Sequence, residues 1–266
     1  MILGRKNWIL LKELTTTDFK LRYQGSVLGY LWALLRPMLM FLILYLVFAK
    51  FLKFDTNIPN YPVYLLTGVV LWSFFTECTN QGIHSIVLRG DLLRKLNFPK
   101  WIIVVSATAT ALINLAINLS VVIIFALLRG VPFHWSWLLT IFPIIELYLL
   151  SLGLALLLGA INVKFRDIAS IWDVIIQALF YAVPIIYPLA MVIKANILAA
   201  KILMLNPIAQ AVQDVRYLLI TSKTVTVWSL INNWWFKIIP IVIVAALLIF
   251  AIFYFNRRAK YFAEEV

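Results

Sequence analysis

This chain is poor in the residues that do chemistry. It has one cysteine, Cys78, so no internal disulfide can form, and a small apolar packing role is the expected one. Its two histidines, His84 and His134, stand far apart, which excludes H-E-x-x-H and other paired-histidine metal sites. No G-x-x-x-x-G-K-S/T occurs, so no P-loop holds a nucleotide, and no G-x-S-x-G marks a hydrolase nucleophile. Acids number 11 against 23 Lys and Arg. They are scattered, which leaves a membrane enzyme without a carboxylate pair or a metal set. Charged residues are 13% of the chain, where a soluble domain carries about a quarter.

What fills the space is oil. Of 266 residues, 64% are hydrophobic, and mean hydropathy is +0.98. Six stretches, near residues 31–52, 63–88, 101–128, 137–160, 171–190 and 236–255, are predicted to cross a hydrocarbon core of about 30 Å. A soluble protein of this size has no interior to hide them. The expected fold class is all-α integral membrane: six transmembrane helices, an N-terminal interfacial helix, and short outer-face helices between spans five and six. The opening residues are not expected to form a cleaved signal peptide, because their apolar run is short and no small-residue site follows. The net charge of +12 reads as topology and affinity for anionic lipid, with no nucleic-acid partner.

The cations orient the chain. Arg5, Lys6, Lys12, Lys20, Arg22, Arg89, Arg94, Lys95, Lys100, Lys164, Arg166, Arg257, Arg258 and Lys260 fall on one side. Across from them lie Lys50, Lys53 and Arg129, plus five in the long 191–237 segment, which count weakly. Both termini are predicted to be cytoplasmic.

The 191–237 segment is more than a loop. In LNPIAQAVQDVRYLLI, Asn206 is a good N-cap and Pro207 the favoured first helical residue. Ile208, Ala211, Val212, Val215, Leu218 and Leu219 share one face, with Gln210, Gln213, Asp214 and Tyr217 opposite. A helix of about 13 residues is too short to span, so it lies in the outer interface or dips in while buried against protein. Before it, Pro184 and Pro188 leave the carbonyls of Phe180 and Pro184 without helical donors. These need protein, water or substrate, or the prolines simply kink and end span five.

On the cytoplasmic side, RGDLLRKLNFPKW predicts a short helix from Leu92 to about Asn97, capped by Asp91 and ended by Pro99. It could be a tight connection or a docking knob. The N-terminal segment shows no single apolar stripe, and Thr15–Thr17 with Asp18 suggests a break, so a partly helical interfacial segment is expected, with Lys12, Lys20 and Arg22 near lipid phosphates. Ser26 can cap the first span, and Gly25 and Gly29 form a small-xxx-small pair for close backbone approach. Arg36 either snorkels or faces protein or water. Glu77 and Glu146 are the acids inside spans, candidates for interhelical hydrogen bonds, polar lining or a proton relay. Aromatics are plentiful, with 10 Trp, 11 Tyr and 18 Phe. Trp135, Trp137, Trp234 and Trp235 suit interfacial belts. Phe41, Tyr45, Trp72, Phe74 and Phe75 lie inside spans, where ring faces can pack on helices or stack on sugars.

Five ordered motifs carry a resemblance. FKLRYQGSVLGYLWALLRP at 19–37, DLLRKLNFPKW at 91–101, NVKFRDI with FYAVPIIYP at 162–168 and 180–188, LNPIAQAVQDVR at 205–216, and RRAKYFAEEV at 257–266 follow one another. Together they make the whole chain resemble the permease subunit of type-2 ABC transporters that export cell-envelope polysaccharide, the O-antigen and teichoic-acid exporters. The resemblance implies one transmembrane domain over 1–266, with a cytoplasmic interface segment at 1–30, a coupling helix at 89–99 and outer short helices at 191–235. It implies a homodimer working with two separate ATPase subunits in the bacterial plasma membrane. ATP and Mg are then bound by the partner, and this chain needs no cofactor or metal and has no catalytic residue. Asp91, Leu92, Leu93, Arg94, Lys95, Leu96, Asn97 and Phe98 match the ATPase-coupling helix. The cargo would be a glycan on an undecaprenyl carrier. Tyr30, Trp32, Phe41, Tyr45, Tyr181 and Tyr187, chosen by span and side-chain type, are the expected channel lining. The rivals are a type-2 ABC permease for a drug or lipid, a proton-coupled carrier using Glu77 or Glu146, and an enzyme acting on a lipid-linked sugar.

Overall fold

The computed structural model describes residues 4–25, 28–52 and 58–265, without the side chain of Tyr23. Among the described residues every regular element is helical. In chain order they are α1 (Arg5–Tyr23), α2 (Trp32–Leu44), α3 (Tyr61–Ser85), α4 (Gly90–Lys95), α5 (Trp101–Leu128), α6 (Ser136–Leu139), α7 (Ile141–Lys164), α8 (Ile168–Ala182), α9 (Leu189–Ala195), α10 (Ile197–Met204), α11 (Pro207–Leu219), α12 (Val227–Leu230), α13 (Trp234–Lys237), α14 (Ile239–Arg258) and α15 (Phe262–Glu265). A 3-10 turn, Gly29–Leu31, precedes α2, and a π-helical turn, Tyr45–Phe51, extends it.

Among the described residues, four helices are long and apolar enough to cross a membrane: Gly29–Phe51, Trp101–Leu128, Ser136–Lys164 and Ile239–Arg258. The other two expected spans look different. α3 is the hub of the bundle, packed on α2, α5, α7, α8 and α11. Its first half is oil, but its second half carries Thr76, Glu77, Thr79, Asn80, Gln81 and His84. Protein helices pack on it, and Glu77, Thr79 and Gln81 find hydrogen-bond partners there. The 171–190 stretch is not one rod. Pro184 disfavours helix at the residue before it, so Val183 is extended and α8 stops at Ala182 after 15 residues. The chain then turns into α9, α10 and α11.

Asparagines start two of these outer helices. Asn196 Oδ1 accepts from the amides of Leu198 and Ala199 at 2.9 and 3.2 Å, and Asn206 Oδ1 accepts from Ile208 at 2.9 Å. The 13-residue α11 therefore begins where its cap and proline place it. Its polar face differs from a surface face, since Gln210, Gln213 and Arg216 are buried along with the apolar side. Of the two settings open to α11, the structure takes the one buried against protein.

Three local expectations are corrected. The N-terminal segment is one unbroken helix, because Thr15 and Thr16 donate back to the carbonyls of Leu11 and Lys12 at 2.9 and 2.8 Å. It does have one stripe. Asn7, Leu10, Leu11, Leu14, Thr15, Asp18 and Phe19 are its half-buried face, hidden from a hydropathy reading because three of the seven are polar. Gly25 lies beyond α1 and Gly29 opens the 3-10 turn before α2, with φ of +82° and +47°. Both φ values lie in the left-handed region where a Cβ is costly, and the two glycines do not form a packing pair on one helix. Ser26, the expected cap, and Lys53, counted on the outer side, lie outside the described residues. The third correction concerns α4, which runs Gly90–Lys95 without a cap from Asp91. A 3-10 turn, Val87–Arg89, feeds straight into it, so Asp91 sits in the first turn, where a negative charge suits the helix dipole. Leu96 is extended and ends it, so Asn97 and Phe98 lie beyond the helix.

Candidate functional site

Three regions concentrate polar side chains: the α4 end, a cavity beside α2, and the outer bundle.

At the first, α4 is a knob with one foot in the core. Leu93 is buried among Ile86, Ile103, Val104, Phe255 and Phe262, and Phe98 packs on the same cluster. Lys100 Nζ sits 5.2 Å from the Phe98 ring centroid and reaches the Leu93 carbonyl at 3.5 Å. α15 packs on α4 from the C-terminal end. Asp91, Arg94, Lys95, Leu96 and Asn97 are exposed, and Leu92 is half-buried. The predicted coupling residues thus form one surface, anchored by Leu93 and Phe98, whose exposed part bears two cations and a leucine.

The second region joins α1, α2, α3 and α5. Arg22 pairs with Glu77, and Arg89 pairs with Asp18 while donating to Ser106 Oγ at 3.0 Å. Glu77 also accepts from Asn114 at 2.6 Å and Gln81 at 2.9 Å. Its candidate role as an interhelical acceptor is what the geometry supplies. Arg22, expected near lipid phosphates, is held by that carboxylate. Pro37 sits inside α2 and has no N–H, which orphans the carbonyl of Ala33. Asn118 of α5 donates to that carbonyl at 3.1 Å and to its own Asn114 carbonyl at 2.8 Å. A cavity of about 840 Å³ opens here, with Arg22, Trp32, Arg36, Glu77, Asn80 and Asn118 in its wall.

The third region surrounds Arg216, which is fully buried on α11. It donates to the carbonyls of Tyr64 at 3.0 Å, Pro184 at 2.6 Å and Ile185 at 2.7 Å, and to Gln213 Oε1 at 3.2 Å. Its guanidinium lies 3.5 Å from the Tyr64 ring centroid, a cation–π stack. Tyr61 donates to Ile186 at 2.8 Å. Three consecutive carbonyls that follow the α8 break are therefore satisfied by two side chains. Gly68 faces the guanidinium so closely that a Cβ there would collide with Nη2. Nearby, Gln210 Nε2 lies 3.4 Å from Glu146 and 3.2 Å from Asp214.

The comparisons place this architecture. The model of the ABC-2 type transporter family matches residues 9–220. The chain belongs to the ABC-2 type transporter family. Relatives include an O-antigen export system permease protein of Myxococcus xanthus, 35% identical over 201 residues, covering 74% of this chain and 75% of the relative. One from Klebsiella pneumoniae is 31% identical over 67% of this chain and 68% of its own. A polysialic acid transport protein of Escherichia coli is 23% identical over 68% and 70%.

In this ABC-2 chain the six aromatics expected to line a channel have different immediate neighbours. Trp32 lines the α2 cavity. Tyr30 stacks on Phe19 at 5.3 Å, while Phe41 stacks on Tyr45 at 5.8 Å and meets Phe125 edge-on at 6.0 Å. Tyr181 is exposed, and Tyr187 donates to the carbonyls of Tyr181 and Ala182 at 3.0 and 3.3 Å, closing the end of α8. Residues missed from sequence were Arg216 and Gly68. Arg216 was counted as one of the outer cations. The signal was present: a lone arginine on a helix preceded by a proline-broken segment whose carbonyls need donors.

Proposed function

We propose that this chain is the membrane half of an ATP-driven exporter that carries a cell-envelope polysaccharide, of O-antigen or capsule type, across the bacterial plasma membrane. Two copies work with two ATPase subunits, which bind ATP and Mg, and both termini face the cytoplasm. α3 and α8, with the four long apolar helices, complete six spans. At about 1.5 Å per residue α8 reaches only about 22 Å, and the re-entrant α9–α11 cover the remaining depth. The cargo travels on a lipid carrier through a continuous passage, since a polymer cannot be enclosed and rocked across in one step.

One observation carries this reading: α4 is a short cationic surface held rigidly against the bundle through Leu93. Such a knob passes a push from a soluble partner into α3 and α5, the helices it connects. The named polysaccharide permeases among the relatives support the choice of cargo.

Replacing Arg94 and Lys95 together with glutamate is expected to lower co-purification of the ATPase about ten-fold while membrane insertion stays intact. The same variant should fail to restore surface polysaccharide to a strain lacking its permease. Unchanged ATPase capture would reject docking at α4.

A further inference from the structure

The cavity beside α2 holds more positive charge than its walls neutralise. Glu77 is the one carboxylate among its described lining residues, and it already takes Arg22, Asn114 and Gln81. Arg36 lines the same cavity from inside an apolar helix, is exposed, and has no ion-pair partner among the described residues. An arginine at that depth calls for an anion. Donors converge on the space. Glu77, Asn80, Gln81 and His84 share one face of α3 by helical spacing, and Asn80 makes no hydrogen bond to a described residue. Arg22, Asn80 and Gln81 also border an adjoining cavity of about 440 Å³ that reaches His84 and Arg89, so a polar trough leads from the Arg89 end toward Arg36.

The α2 face that carries Arg36 is otherwise apolar. Leu39, Met40 and Ile43 of α2 line the cavity and are themselves exposed. A site with a cation and amides next to bare aliphatic surface matches an amphipathic anion. Its volume is that of a small-molecule site.

We propose that this cavity binds the phosphate head of a lipid, with Arg36 as its principal ligand and Asn80 as a second donor, the tail lying along Leu39, Met40 and Ile43. Guanidinium pairs with phosphate oxygens in a bidentate fork. The assignment to a glycan carrier, whose head is a diphosphate, rests on the export function proposed above.

The test uses the complex of this chain with its ATPase, purified in detergent and examined by native mass spectrometry after incubation with undecaprenyl diphosphate or phosphatidylglycerol. Wild type should retain lipid. Arg36→Ala should retain about ten-fold less, Arg36→Lys should stay within about three-fold of wild type, and Arg166→Ala, which removes an exposed cation elsewhere, should change nothing. Preferential retention of undecaprenyl diphosphate supports a carrier site, and equal retention of both lipids supports a general phospholipid-head site at the same arginine. Retention by Arg36→Ala equal to wild type overturns the site. So does equal loss in Arg166→Ala, which would mean bulk charge alone. The two readings fail separately. A wild-type chain that restores surface polysaccharide while Arg36→Ala keeps its lipid rejects only the site. Arg36-dependent retention with no restored export rejects the carrier assignment and leaves the lipid site.

Discussion

The two ends of this bundle solve one problem differently. Both contain arginines and orphaned carbonyls among apolar helices. At the α1 end, cations meet carboxylates from neighbouring helices, Arg22 with Glu77 and Arg89 with Asp18, and all four side chains keep some exposure, from 14% to 31%. In the outer bundle Arg216 is fully buried and meets no carboxylate among the described residues; its partners are backbone carbonyls, one amide oxygen and an aromatic face. Partly exposed ion pairs can exchange for water and salt, so each contributes little and can be rearranged. A guanidinium inside protein has no such alternative. Its loss strands several acceptors at once. The α1 end is therefore joined reversibly, and the outer bundle is locked.

That contrast can be broken most severely at Arg216. Arg216→Ala is expected to cost about 3–5 kcal/mol, the scale for removing one partner of a buried charged network. The measurement is thermal unfolding of the detergent-purified chain. Arg216→Lys should recover little, because an ammonium cannot span three carbonyls with a planar fork. A full rescue by lysine would show that charge alone matters there.

Asn118→Ala tests the middle case, a proline-freed carbonyl met by a neutral donor. Leaving the Ala33 carbonyl unpaired should cost about 1–2 kcal/mol in the same assay. Smaller again is Asp18→Asn. It weakens the pair to Arg89 and should shift stability by under about 1 kcal/mol, the shift shrinking in high salt. A salt-independent loss as large as that of Arg216→Ala would erase the distinction between the two ends.

Much of this was legible beforehand, and the misses have a pattern. α11 begins at Asn206 and Pro207, as its residues predict, because capping is local. α4 was placed within two residues, but its cap was wrong because the preceding turn, not Asp91, sets its start. The α1 stripe was missed because Asn7, Thr15 and Asp18 face protein. The neighbours of the six aromatics were not legible, because residue type and span do not say which side of a helix meets which other.

By itself the sequence determined that this chain lives in a membrane, is helical, carries no P-loop motif and no paired histidines, and presents a short cationic connection between two long helices. Those follow from composition and from spacing of a few residues, properties that need no partner. Only the tertiary structure decided that Arg216 serves the carbonyls of residues 64, 184 and 185, that Arg22 belongs to Glu77, and that Arg36 is left facing a cavity. Pairings across 31 to 152 residues depend on which helix faces are brought together, and in a chain this apolar every face reads alike until packing tells them apart.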